Sequence, residues 1–206
     1  MALSSDKLTE SLLWLTRFSS PLSAPWQAEQ IACLTPTERA RLARIARPLR
    51  REQFVVGHAL LRRVLSEARY DDARIDVESD GRLLITASTP VYTSIAHSAN
   101  AVAVTVAGEP VGVDLESERA LRDPRAAAAL MDWPPGVAHD SVSVLRAWVA
   151  AEARLKAGER ALAQVWCTTW DRCALAVAGI ANPPLTGVFD VMTGTYNAAE
   201  LQWEAV

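Results

Sequence analysis

The 206-residue chain is poor in lysine, cysteine and histidine: Lys7 and Lys156 are its only lysines, against 19 arginines, and it has three cysteines and three histidines. Cys33, Cys167 and Cys173 are odd in number and show no CxxC spacing, which excludes a disulfide framework and a cysteine zinc site. They read as ordinary buried thiols. His58, His97 and His139 stand far apart with no HxxxH or HExxH pair, so a catalytic zinc lacks its signature and any metal should be oxygen-bound. No apolar run approaches the roughly 20 residues of a membrane-spanning helix. The first ten residues carry Asp6 and Glu10 rather than a basic-then-apolar order, which points away from a secretory signal and toward a cytoplasmic protein. With half the residues apolar and 22% charged, the composition excludes disorder and fits one domain or two small ones.

The net charge of −3 conceals an asymmetry. Residues 38–69 hold nine arginines and three acids, whereas residues 109–118 hold four acids and no base. Most of those arginines read as the solvated faces of amphipathic helices, but an anion site needs only two or three. A pI near 5.7 and the lack of a nucleic-acid motif argue against nucleic acid as partner.

Thr35-Pro36-Thr37-Glu38 reads as an N-cap, a proline at the first helical position and an acid in the first turn. That helix should stop before Pro48, with a second beginning near Arg50. From Ile75 the period changes to strands: residues 75–78, a turn at Ser79-Asp80-Gly81, then 83–87 and 91–95. Residues 101–106 and 111–116, joined by Gly108-Glu109-Pro110, read as a central β-hairpin. Helices are expected over 121–130 and 143–162, then strands over 165–170 and 174–178. The order helix, strands, helix, strands thus occurs twice. It predicts an α/β (α+β) fold of two similar halves, residues 1–107 and 108–206, with a ligand site where they meet.

In Val111-Gly112-Val113-Asp114-Leu115-Glu116 the alternation puts the apolar residues on one face and Asp114 and Glu116 on the other, about 7 Å apart. A strand with one wet face would look the same. Gly112 leaves that face bare beside Asp114, which suits a ligand approaching closely. In the helix over 143–162, Glu152 lies on or beside the apolar stripe with Lys156 one turn on. The pair can be a simple i, i+4 salt bridge. Alternatively Glu152 joins Asp114 and Glu116 as three oxygen ligands for Mg²⁺. Ser94-Ile95-Ala96-His97-Ser98 could offer hydrogen bonds to phosphate, although a lone histidine at a strand end is more often structural.

The ordered set SIAHS, GVDLE and WVAAEARLK, preceded by the arginine-rich helix over 50–63, resembles the Sfp-type 4′-phosphopantetheinyl transferase family. The resemblance spans about residues 34–177. It implies a pseudo-dimer of two α/β halves with coenzyme A between them. It also implies a Mg²⁺ site at Asp114, Glu116 and Glu152, and Lys156 reaching the pyrophosphate. His97, Ser98, Arg82 and, more loosely, Arg51 would contact coenzyme A. Three departures stand out: Ala96 replaces a serine, Ala151 a lysine, and His58 stands where the family usually has a coenzyme-binding arginine.

The reaction so implied moves the phosphopantetheine arm of coenzyme A to a serine of an apo acyl or peptidyl carrier protein and releases 3′,5′-ADP. Glu152, directly or through water, would be the base, and Lys156 would assist the leaving phosphate. The arginines over 39–63 would supply a docking face for an acidic carrier protein, and the enzyme would act as a monomer. The three departures motivate an alternative, a relative that binds coenzyme A or a carrier protein without transfer. A Mg²⁺-dependent phosphohydrolase is a third reading.

Overall fold

In the computed structural model, which describes residues 10–78, 81–129, 140–158, 164–190 and 193–206, the chain begins with β1 (Leu12–Arg17), α1 (Ala24–Ala32), α2 (Pro36–Arg44) and α3 (Pro48–Glu67). Five strands follow: β2 (Arg74–Val77), β3 (Leu83–Thr86), β4 (Tyr92–Ser98), β5 (Ala101–Ala107) and β6 (Gly112–Ser117). Next come α4 (Pro124–Ala129), α5 (Ser141–Ala157), β7 (Val165–Trp170), β8 (Cys173–Ala178), β9 (Leu185–Asp190), β10 (Thr195–Ala199) and β11 (Glu204–Ala205). The fold is mixed α+β. No helix among the described residues is long and apolar enough to cross a membrane.

Two sheets carry the architecture. One has the order β10-β9-β1-β5-β4 and the other β11-β7-β8-β6, while β2 and β3 form a separate two-stranded ribbon. Alternation along each strand decides what it faces. Leu12 and Trp14 of β1, with Val102, Val104 and Val106 of β5, pack beneath Val56, Leu60 and Val64 of α3. The intervening Leu13, Leu15, Ala101 and Ala103 turn the other way and meet Val113, Leu115, Leu175 and Val177 of the second sheet. On that sheet's far side, Ala174, Ala176 and Ala178 lie under Val149, Ala150 and Ala153 of α5. The layers therefore run α3, first sheet, second sheet, α5.

The start of α2 is as expected. Thr35 and Glu38 form a reciprocal capping box, and Pro36 occupies the first helical turn. α3 begins at Pro48 rather than near Arg50. The central hairpin does not form. Both edges of β5 are taken, by β1 and β4, so β6 crosses into the second sheet and pairs with β8. The tight hairpins are β4–β5 and β7–β8, the latter turning through Asp171 and Arg172 with φ of 45° and 60°, as a two-residue type I′ loop requires. The first sheet draws β9 and β10 from the C-terminal part of the chain, and β9 runs parallel to β1. Cys33 is exposed rather than buried, while Cys167 and Cys173 are buried. The turn residues Ser79 and Asp80, the expected helical residues Leu130 and 159–162, and His139 lie outside the described residues.

The edges β4 and β6 meet through side chains. Ser94 Oγ accepts the Val113 amide at 3.1 Å, and Ser98 Oγ accepts the Ser117 amide at 2.9 Å. On the other face of β6, Gly112 is pressed against α5. A Cβ there would stand 2.0 Å from the Ala153 carbonyl oxygen and 2.6 Å from the Ala157 nitrogen. The close approach inferred from Gly112 is made by this helix and not by a ligand. Gly112→Ala should destabilise the fold by at least about 2 kcal/mol, because both obstructing atoms are backbone. Urea unfolding measures this, and an unchanged midpoint would refute the contact.

Candidate functional site

The contact at Gly112 sets the position of Lys156 on the last turn of α5. Its Nζ donates to Asp114 Oδ1 at 2.6 Å and to the Val113 carbonyl at 3.1 Å. Lys156 thus reaches across to β6 and makes no ion pair with Glu152, its neighbour one turn back. Asp114 is buried. Burial raises its pKa, Lys156 opposes that, and the nearby charges of Glu116 and Glu152 push it further up. Glu116 Oε2 accepts from Ser98 Oγ at 3.0 Å and from Arg119 Nη1 at 2.7 Å. Glu152 is half-buried. The three carboxylates therefore share one electrostatic neighbourhood and offer only oxygen donors. Among the described residues, however, no three acidic, histidine or cysteine side chains are gathered closely enough to form a finished metal site.

Lys156 also borders a cavity of about 1120 Å³ between α2, α3, β3, β4 and α5, large enough for a nucleotide-sized ligand. Arg41, Arg44, Arg47, Arg50, Arg82 and Lys156 line it, and among the described residues no aspartate or glutamate does. Arg41, Arg44 and Arg47 form no ion pair among the described residues. Gly81, at φ +94°, packs on Arg41, whose guanidinium lies 3.1 Å from where a Cβ would be. Such a concentration of positive charge is unfavourable unless an anion is bound. Burial and the neighbouring Arg41 both lower the pKa of Arg50.

Two histidines enter the cavity wall. The Arg50 guanidinium rests on His97, with Nη1 2.7 Å from Nδ1. Burial, then the Arg50 charge, lowers His97 to about 4, so its imidazole is neutral at physiological pH. His58 stacks on Phe54 with ring centroids 4.0 Å apart. Its Nδ1 is 2.5 Å from Oε1 of Glu38, a carboxylate with no solvent exposure. Arg62 donates to the other oxygen of Glu38, which also accepts the Thr35 amide at 2.6 Å. Burial would raise the Glu38 pKa, but the bonds from His58, Arg62 and Thr35 outweigh it and hold the carboxyl at about 2.

The structure brings His58, His97, Arg82 and Lys156 to this one cavity, with Asp114, Glu116 and Glu152 beside the lysine. Arg82 also pairs with Glu78 at 2.5 Å. Arg51 stands apart: it donates to the Leu42 and Ile45 carbonyls at the end of α2 and does not line the cavity. Ser98 points at Glu116 on the β6 side and is likewise not a cavity residue. Ala96 is buried in the layer between the sheets and does not line the cavity, so a hydroxyl missing there removes nothing from it. Ala151 is exposed. The arginines of the wall recur as Arg41, Arg44, Arg47, Arg50, a basic residue at every third position. That interval is the signal that would have singled out the cavity wall from the other arginines.

Glu38 makes the fold sensitive to acid. Its carboxyl takes up protons near its ordinary 4.5 when unfolded but only near 2 when folded, so its stabilisation is complete above about pH 5 and is lost as pH falls toward 2. The loss should be on the order of 3 kcal/mol. Urea unfolding between pH 6 and 3 should show this decline, and Glu38→Gln should start less stable and show a shallower slope. Equal slopes would show that Glu38 is not the group responsible. No family model matches the chain, and no curated protein matches it.

Proposed function

We propose that this chain transfers the 4′-phosphopantetheine arm of coenzyme A to a serine of an apo acyl or peptidyl carrier protein, releasing 3′,5′-ADP. The observation that carries the reading is the cavity lined by five arginines and a lysine with no carboxylate among the described residues. Coenzyme A presents a pyrophosphate and a 3′-phosphate, which together require several cations in one enclosure. A helix-backed sheet on either side of a shared apolar layer is consistent with two α/β halves.

Asp114, Glu116 and Glu152 would hold Mg²⁺, a cation suited to an all-oxygen donor set; when bound it supplies neutralisation of pyrophosphate charge. The residues of the chain provide the rest. The arginines hold the phosphates and fix their orientation toward α5. Lys156, on leaving Asp114, donates to the bridging oxygen as its bond to the β-phosphorus breaks and it departs on 3′,5′-ADP. The carrier serine oxygen forms the new bond to the β-phosphorus, and Glu152 accepts the serine proton.

One observation favours the alternative of binding without transfer: Lys156 already occupies Asp114, and no finished metal site exists among the described residues. Intact mass spectrometry separates the two readings. Apo carrier protein incubated with this chain, coenzyme A and Mg²⁺ should gain one phosphopantetheine arm, and EDTA should abolish the gain. Glu152→Gln should cut the transfer rate by at least about 100-fold, the usual contribution of a positioned base, while leaving 3′,5′-ADP affinity within about threefold. Coenzyme A binding with no mass gain on several carrier proteins would establish the binding-only reading.

A further inference from the structure

We propose that Gln53 is a positioning residue: it fixes the Arg50 guanidinium in the cavity wall as an anchored, uncompensated cation on which a phosphate group seats. The proposal deepens the function proposed above and rests on its reading of the cavity as an anion site.

Gln53, on α3, is a polar side chain only 4% exposed, and a buried amide has to be hydrogen-bonded at both ends. Both ends are used. Its Nε2 donates to the Ala99 carbonyl in the β4–β5 turn at 2.6 Å, and its Oε1 accepts from Arg50 Nη1 at 2.9 Å. The partners leave the amide one orientation, because a carbonyl only accepts and a guanidinium only donates. Arg50 is thereby tied to the hairpin that carries His97, and the same Nη1 lies against that imidazole. Only Nη1 is engaged, so Nε and Nη2 keep no partner among the described residues, and Arg50 lines the cavity.

The other cations of the cavity are held differently. Lys156 pairs with Asp114 and Arg82 with Glu78, so carboxylates offset their charges. Arg41, Arg44 and Arg47 make no side-chain hydrogen bond or ion pair among the described residues, so a bound anion must order them. Arg50 is anchored by neutral groups: Gln53 is an amide, and His97, lowered to about 4 by burial and then by the Arg50 charge, is an uncharged ring. It therefore keeps its charge at a fixed place, which favours a charge-assisted bond to phosphate. A glutamate at position 53 would also accept from Arg50, but it would offset that charge and turn an oxygen toward the Ala99 carbonyl.

Isothermal titration with inorganic tripolyphosphate at low salt tests this as a double-mutant cycle. Gln53→Met keeps the bulk of the side chain and removes both bonds. It should weaken binding by about fivefold to tenfold in the wild-type background and in Arg44→Ala, as loss of one hydrogen bond of ordinary worth does. In Arg50→Ala it should change affinity by less than about twofold, because no guanidinium is left to position. A glutamine with only a structural role would weaken binding equally in all three backgrounds or in none, and either result would overturn the proposal. So would the absence of tripolyphosphate binding by the wild-type protein. Titration with 3′,5′-ADP separates the proposal from the transferase reading: the expected tripolyphosphate coupling with no 3′,5′-ADP binding would support Gln53 and defeat that reading. Should Gln53→Met fail to fold, the arginine side-chain NMR signals of the unliganded wild type decide. The Arg50 guanidinium, assigned by its loss in Arg50→Lys, should show hindered rotation with separate Nη signals, and a rotationally averaged Arg50 signal overturns the proposal.

Discussion

The absent side chain at Gly112 governs the end of the molecule that holds Asp114, Glu116, Glu152 and Lys156. Because β6 has no Cβ at this position, the backbone of α5 at Ala153 and Ala157 settles directly on the strand. Alanines on both partners, Ala174, Ala176 and Ala178 from β8 against Ala150 and Ala153 from α5, keep the whole contact shallow. A helix this close places Lys156 within reach of the next residue on the same strand face, Asp114. Strand alternation then adds Glu116 to that face, and one helical turn places Glu152 near it. The separation of opposite charges is thus set by backbone packing, which is stiff, and not by loops.

A second constraint is electrostatic. Arg41, Arg44, Arg47 and Arg50 sit where α2 ends and α3 begins, so side chains from both elements converge on one space although no single helix could aim all four there. Their mutual repulsion is a standing cost to the unliganded fold. Packing behind them offsets it: Glu38, in the capping box of α2, is buried and ties that helix to His58 and Arg62 of α3. One carboxylate therefore both starts α2 and fixes the angle at which the arginine wall meets the histidine.

Much of this was legible in the chain, for reasons that differ by element. The capping box and the alternation in GVDLE are local signals, read without tertiary context. β1 was not legible, because Leu12 to Leu15 are covered on both faces and a continuous apolar run shows neither helical nor strand period. The pairing of β6 was misjudged for a topological reason: whether β5 has a free edge depends on β1, ninety residues away in the register Thr105 to Leu13. Asp114 and Glu116 share a strand face as the alternation implies, yet the partner of Lys156 depends on the depth of helix packing, which spacing along one helix does not encode.

The three departures from the transferase pattern turn out to be unequal. Ala96 faces the layer between the sheets with Leu13, Leu15 and Leu115; alanine there serves packing. Ala151 lies on the exposed side of α5, so a lysine at that position would carry its charge into solvent, where it is screened. Only His58 both departs from the pattern and borders the cavity. At His58 a ring stands in place of the guanidinium of that pattern, and Glu38 and Phe54 hold the ring in place. Of the three positions His58 is thus the one whose side chain can alter what the cavity holds, and its pairing with the buried Glu38 ties any change there to the start of α2.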